Sequence, residues 1–176
     1  MSLPRLTGPR VTLVPVSSAL ARAVVDGTPA ADPLAALGLR AAAGYPHEDS
    51  RDALRPLAEH GEDREDGGWL ITVDGEVVGD CGWQTGPDAD GEVSIGYGLA
   101  VPSRRQGIGT EAVAVLCAWT EAQPGVRRLV ADVRVGNEAS RRLLLRLGFT
   151  EAPAELGWVR CLRGEGQPAI AGRHVC

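Results

Sequence analysis

A chain of 176 residues, 44% hydrophobic and 23% charged, is long enough for one domain with a real core and short for two. Its net charge of −5 argues against a general nucleic-acid binder, which shows a basic excess, and fits an ordinary soluble surface. No apolar run reaches the roughly 18–20 residues of a membrane helix, and no charged start leads into an apolar stretch. Neither a membrane span nor a signal peptide is therefore expected, and the chain reads as cytoplasmic.

All 18 basic residues are arginine. Cys81, Cys117, Cys161 and Cys176 are isolated, as are His47, His60 and His174. None has metal-ligand spacing and no CxxC occurs, so no metal site is expected and the thiols should be reduced.

In chain order, residues 5–16 alternate Val11 and Leu13 with Thr12 and Val14, predicting a first strand near a sheet edge. Ser17 or Ser18 caps a helix to about Val25, closed by Asp26-Gly27. A short helix is expected near Leu34–Leu39. Another is expected from Asp49 or Ser50 to about Glu59, kinked or shortened by Pro56. His60 to Gly68 reads as a charged loop, either a solvated connection or an acidic rim that attracts an amine. Residues 69–73 and 76–83 form a hairpin about Asp74-Gly75. Gly79 and Gly82 in its return strand suggest a bulge or close backbone approach.

The central stretch is residues 92–112, EVSIGYGLAVPSRRQGIGTEA. Its first part predicts a strand with Val93, Ile95, Tyr97, Leu99 and Val101 on one face, Tyr97 being read as core. Ser94, Gly96, Gly98 and Ala100 form a nearly bare face with room for a thin ligand. Pro102 stops the strand, and a basic glycine-rich turn runs into a helix. Free N–H groups, two arginines and a helix N-terminus make a site for a phosphorylated ligand. Ala112, Val115, Leu116 and Trp119 then share a helix face, which Pro124-Gly125 ends. Residues 127–135 form the next strand, parallel to the central one across a right-handed crossover. Asn137 caps a helix ending at Leu147-Gly148, with Ser140 on its inward face beside Leu143, Leu144 and Leu147. Short strands follow at 149–150 and 156–162.

A P-loop needs a lysine after its last glycine, and none is present. Gly107-Ile108-Gly109-Thr110-Glu111-Ala112 matches the dinucleotide pattern GxGxxA, with Asp132 about twenty residues on. Five residues separate that glycine from its strand, however, and Asp132 is mid-strand. Arg104-Arg105-Gln106-Gly107-Ile108-Gly109 fits R/Q-x-x-G-x-G/A instead. Here the chain resembles the GNAT superfamily of N-acetyltransferases, in particular its Rim-like branch of ribosomal-protein N-terminal acetyltransferases. RLTGPRVTLVPV, GEVVGDCGW, SIGYGLAVPSRRQGIGTEA and VRVGNEASRRLLLRLGF carry the resemblance in family order over nearly the whole chain.

The resemblance implies a single α/β (α+β) domain over residues 1–176, with a core at about 5–163 and a loose tail over 164–176. Its sheet would be mixed and mostly antiparallel, flanked by helices, around a parallel β-α-β core. The donor would be acetyl-CoA, and the acceptor a small-molecule or peptide amine attacking directly in a ternary complex. Leu99, Ala100 and Val101 would pair with the pantetheine arm, and a backbone N–H near Leu99 would polarise the thioester. Arg104, Arg105, Gln106, Gly107, Ile108, Gly109 and Thr110 would wrap the pyrophosphate. Asn137 and Ser140 would also touch the donor. Ser140 would protonate the departing thiolate, since the tyrosine that other branches use four residues on is Leu144 here.

A neutral amine requires a base. The branch often has Glu where this chain has Ser94, which leaves Glu92, two residues earlier, and Asp132, at the place of a catalytic Glu in another branch. Residues 28–68 and the last strand would build the amine pocket. The branch is often dimeric, so a homodimer stays open. A non-catalytic acyl-CoA sensor, favoured by Ser94, and a nicotinamide-binding enzyme, favoured by GxGxxA, remain as alternatives.

Overall fold

Asp74 and Gly75 both take left-handed backbone, with φ of 49° and 77°, the geometry a two-residue hairpin loop requires. They join strands Gly68–Val73 and Glu76–Thr85, and Glu92–Leu99 completes the expected meander. This computed structural model describes residues 3–27, 31–60, 67–153 and 155–165. In chain order its elements are β1 (Leu6–Thr7), β2 (Thr12–Pro15), α1 (Ser18–Asp26), α2 (Ala31–Ala36), β3 (Arg40–Ala41), α3 (Ser50–His60), β4 (Gly68–Val73), β5 (Glu76–Thr85), β6 (Glu92–Leu99), α4 (Ile108–Glu121), β7 (Arg128–Arg134), α5 (Glu138–Arg146), β8 (Thr150–Glu151) and β9 (Trp158–Gly164). The sheet runs β1-β2-β4-β5-β6-β7-β9-β8, with β3 alongside the start of β5. It is antiparallel except for β6/β7 and β3/β5, so the mixed, mostly antiparallel sheet around a parallel β-α-β unit stands as expected.

Two apolar layers sandwich the sheet. On one face Val93, Ile95, Leu129, Ala131 and Val133 pack against Ala112, Val113, Leu116 and Cys117 of α4 and Leu144 of α5. On the other, Val14, Leu70, Val77 and Ala100 meet Leu20 and Val24 of α1, Leu34 of α2, and Leu54 and Ala58 of α3. Indole N–H groups pin the first layer: Trp83 donates to Thr120 Oγ1 at 2.8 Å and Trp69 to the Pro4 carbonyl at 2.9 Å. Buried aromatic nitrogens need such partners.

Ser17 caps α1 by accepting the Leu20 N–H, and Asn137 caps α5 by accepting the Ser140 N–H, both at 3.2 Å. The glycines of the return strand are close approaches. A Cβ on Gly79 would stand 2.2 Å from the Gly98 carbonyl oxygen, and one on Gly82 would stand 2.2 Å from that of Gly67. The ladder also shifts register beside Gly79.

Four expectations are corrected. The short helix spans 31–36, not 34–39, because Pro33 is tolerated in a first turn and Gly38 stops the chain just beyond it. The next helix passes through Pro56 to His60 unshortened. There the packing of Leu54 and Ala58 outweighs one lost backbone bond, and Arg22 Nε ties down the Ala58 carbonyl at 3.1 Å. The central strand ends at Leu99, after which Val101–Ser103 make a 3-10 turn. Val101 is accordingly 68% exposed and leaves the apolar face, whereas Ala100, assigned to the bare face, is fully buried. The acidic stretch 61–66 and residues 166–176 of the expected tail lie outside the described residues; Gly164 and Glu165 are held to Arg127 and Arg128.

Candidate functional site

Beyond Ser94 and Val130 the parallel pair comes apart. β6 and β7 are in register only at Glu92/Arg128, Val93/Leu129 and Ser94/Val130. β6 then continues on β5 to Leu99, and β7 on β9 to Arg134. A strand edge is left facing an opening. The Ala100 N–H donates to the Val78 carbonyl at 2.9 Å. Alternation along an antiparallel pair then turns the Leu99 N–H the other way, toward β7. The Ala100 carbonyl accepts from Ser103 N–H, the Val101 carbonyl from Arg104 N–H and the Leu99 carbonyl from Arg104 Nε.

A cleft of about 640 Å³ occupies this opening and continues onto the α3 side of the sheet. Its floor is Gly82, Gly96 and Gly98. Asp49 and, from α3, Asp52, Ala53, Pro56 and Leu57 form one wall, and Asp132 to Arg134, Asn137, Ser140 and Trp158 form the other. Of the residues given catalytic or donor-binding roles from the sequence, Asp132, Asn137 and Ser140 line the cleft. Glu92 and residues 99–110 do not.

Tyr97 crosses the opening. Its hydroxyl lies 2.6 Å from Ser140 Oγ. Burial pushes the phenol up to about 12 against the lowering effect of the Ser140 hydrogen bond, so at neutral pH the pair carries its protons. The sequence placed Tyr97 in the core, and its ring does pack there. The missed signal is that, among Val93, Ile95 and Leu99, it is the one side chain with a polar tip.

The glycine turn stands at the end of β6. Arg105 and Gly107 take left-handed backbone, φ 62° and 78°, and Gly107 is the N-cap of α4. Main-chain N–H groups at the start of α4 have no intrahelical acceptor. Arg104, Arg105, Gln106 and Gly107 are exposed, Ile108 and Gly109 are buried, and Thr110 is half-buried. A Cβ on Gly109 would stand 3.3 Å from both Leu99 and Leu143 side chains, so the turn is packed against strand end and α5. Arg10, which the sequence did not single out, clamps the turn from the N-terminal hairpin. It reaches the Gln106 carbonyl at 3.1 Å and Glu111 at 2.9 Å. Burial would raise the Glu111 carboxyl, but the backbone N–H groups of Arg10 and Val11 and the Arg10 guanidinium hold it below its ordinary value.

The two proposed carboxylate bases differ. Glu92 is gripped by Arg160 and by Arg128, the latter at 3.4 Å, one guanidinium on each oxygen. Asp132 is exposed on β7 with no ion-pair or hydrogen-bond partner among the described residues, and it also borders a second hollow with Leu156, Trp158 and Arg160.

The bare strand face is not vacant. Gln84 covers Gly96 and bonds Ser94 Oγ at 3.1 Å; the His47 imidazole covers Gly98. The reason is that this face looks toward α1–α3, and the segment leading into α3 lies down on it. His47 belongs to a buried polar group. Ser50 Oγ donates to Asp80 Oδ2 at 2.5 Å and accepts the His47 N–H at 3.2 Å. His47 Nε2 is 3.4 Å from Asp80 Oδ2, within ion-pair reach but without a hydrogen bond. Among the described residues neither ring nitrogen nor the Tyr45 hydroxyl has a hydrogen-bond partner, a cost of about 1–3 kcal/mol for each group that stays unmet. Burial, then Asp80, raises the Tyr45 phenol well above its ordinary value. The overlooked signal was Asp80 itself, a charge inside the strand run Val77-Val78-Gly79-Asp80-Cys81.

Comparison with known proteins places this geometry. Residues 10–150 match the family model of the acetyltransferase (GNAT) domain. An uncharacterized N-acetyltransferase of Bacillus subtilis, YjdG, is 32% identical over 83 residues, 46% of this chain and 49% of that protein; the chain thus spans about half the length of the curated relatives it matches. The structure of RimL, a ribosomal-protein acetyltransferase solved with coenzyme A, superposes with a TM-score of 0.64 at 20% identity, covering 92% of this chain and 98% of RimL. An acetyltransferase from Agrobacterium tumefaciens gives 0.65 at 22% identity, over 94% of this chain and 96% of the other. The matched span holds the split strand pair, the glycine turn and the capped helix bearing Ser140, and the chain belongs to the GNAT acetyltransferase family.

Proposed function

We propose that this protein is an N-acetyltransferase that moves an acetyl group from acetyl-CoA to a primary amine by direct attack in a ternary complex. The observation that carries the reading is the split between β6 and β7, bridged by Tyr97 and Ser140 and ended by the glycine turn. The RimL structure holds coenzyme A on the same fold, which supports this choice of donor.

Arg104 to Thr110 bind the pyrophosphate through main-chain N–H groups and the α4 dipole, with Arg104 and Arg105 supplying charge. The open edge of β6, continuing through Leu99, Ala100 and Val101, takes the pantetheine arm by strand-like pairing. The Ala100 amide is already spent on Val78, so pairing there falls to its neighbours. The Leu99 N–H polarises the thioester carbonyl and holds the developing oxyanion. Asn137 fixes α5 so that Ser140 faces the sulfur. Ser140 Oγ gives its proton to the departing thiolate and recovers one through Tyr97, whose phenol stays protonated at neutral pH. Of the two carboxylates, Asp132 is the one in the cleft with free oxygens, able to meet an incoming ammonium. The acceptor is a small-molecule or peptide amine that enters along the α3 side.

Thermal unfolding with acetyl-CoA or NAD, followed by thiol release across an amine panel, tests this reading. Stabilisation by acetyl-CoA alone, with turnover, is expected. Stabilisation by NAD alone would replace the reading with a nicotinamide one. Acetyl-CoA binding without turnover on any amine would make the protein a sensor.

A further inference from the structure

We propose that His47, backed by Asp80 and Ser50, is the base that takes the proton from the acceptor amine; this rests on the acetyltransferase reading above. The ring lines the same cleft as Ser140 and lies directly over Gly98, next to the strand residues that would hold the thioester. Its side chain is only 4% exposed, and among the described residues neither nitrogen has a hydrogen-bond partner, Nε2 lying 3.4 Å from the Asp80 carboxylate. Such a ring is costly when nothing meets it and favourable when a ligand hydrogen bond does. A thioester carbon lying in the split beside β6 is attacked from above the sheet. On that side, the α3 side, the ring edge stands. The groups facing the ring are Asp80 from β5, Ser50 from α3, Tyr45 from its own segment, whose ring is edge-on at 6.3 Å, and the backbone of Gly98 from β6. Asp80 faces Nε2 and balances the positive charge the ring gains. Ser50 fixes both Asp80 and the His47 backbone.

The step balances. The amine nitrogen bonds to the acetyl carbon and the C–S bond breaks. One amine proton goes to His47 and thence to solvent, while the thiolate takes the Ser140 proton, which Tyr97 replaces and regains from solvent in the cleft it lines. Glycine at 98 is required by this arrangement, since a Cβ there would stand 2.3 Å from His47 Cε1.

The test uses the full chain with acetyl-CoA and a panel of methylamine, putrescine, kanamycin and an alanyl peptide. His47→Gln and His47→Ala are expected to lower kcat by about 100-fold or more. Calorimetric affinity for coenzyme A should stay within about twofold, because the pyrophosphate turn is elsewhere. Added imidazole should restore turnover in His47→Ala, and Asp80→Asn should lower kcat with a smaller effect on KM, as for a positioning residue. Should both variants fail to fold, the wild type decides. Its three histidines can be followed by nitrogen NMR, and the His47 ring signal should move when a turned-over amine is added with coenzyme A. Undiminished kcat in His47→Gln, no imidazole rescue, an unmoved ring signal, or the full loss appearing in Asp132→Asn instead would each overturn the proposal. A wild type that binds acetyl-CoA but acetylates nothing would overturn it together with the acetyltransferase reading, which distinguishes the two failures.

Discussion

Gly98→Ala is a single added methyl with a calculable consequence. The new Cβ would meet His47 Cε1 at 2.3 Å and Nε2 at 2.6 Å, far inside contact distance. An exposed side chain would swing away at little cost. The His47 side chain is 96% shielded, bounded by Tyr45, Ser50 and Asp80, so either the ring or β6 must move. Overpacking of this kind costs about 1–3 kcal/mol. Gly98 is not among the positive-φ glycines, so alanine fits its backbone and recovers about 0.4–1 kcal/mol from the unfolded chain. The net is a loss of up to about 2.6 kcal/mol, or a Tm lower by up to about 10 °C for a chain of this size. The assay is thermal unfolding of Gly98→Ala, His47→Ala and the double variant. In the His47→Ala background the collision is gone, so the added alanine should be neutral or stabilising. An equal cost in both backgrounds would refute the assignment of His47 as the obstacle.

Ser140→Ala should lower kcat by about 100-fold with coenzyme A affinity nearly unchanged, and Tyr97→Phe by less, because it removes only the return of the proton; equal turnover to wild type across pH would remove Ser140 from the chemistry. Glu92→Gln should act on stability, lowering the urea midpoint by the equivalent of about 1 kcal/mol as its tie to Arg128 and Arg160 weakens. A large fall in kcat at unchanged midpoint would instead make Glu92 the base. Glu151 is held below its ordinary carboxyl value chiefly by hydrogen bonds from Arg141, at 2.7 Å and 2.8 Å. A depressed carboxylate contributes stability above its unfolded value and loses it as pH falls through the folded one. The slope of Tm against pH should therefore flatten below about 4.5 in Glu151→Gln, and an unchanged slope would refute the contribution.

The sheet, the glycine turn and the Asn137 cap were legible because they rest on local chemistry. Asp74-Gly75 must turn, Asn137 must cap, and glycines before an amphipathic helix leave N–H groups free. Strand–helix–strand around α4 fixed the parallel pair by handedness. The buried polar group of His47, Ser50 and Asp80 was not legible. Asp80 on β5 lies 30 residues or more along the chain from Ser50 and His47, and only the folding of the α2–α3 connection onto the sheet brings them together. The bare face of β6 was read as room for a ligand, although an omitted side chain on one strand is as readily filled by a side chain from elsewhere. Glu92 had the right chemistry on the right strand, but at the end where β6 and β7 stay paired. Its two arginines come from β7 and β9, beyond the reach of any spacing argument.

Arg104 lies back on the strand end, its Nε 2.9 Å from the Leu99 carbonyl oxygen, beside the place proposed for an activated acyl group. A lysine there would put a primary amine within reach of its own substrate and invite self-modification. A guanidinium spreads its charge over three nitrogens and stays protonated, so it offers electrostatic attraction without nucleophilicity. The same holds for Arg10 at the turn and for Arg134 stacked over Trp158 at 5.1 Å. All 18 basic residues of the chain are arginine, so on the proposed reading no side-chain cation competes for the acetyl group, and replacing Arg104 by lysine would add a competing acceptor.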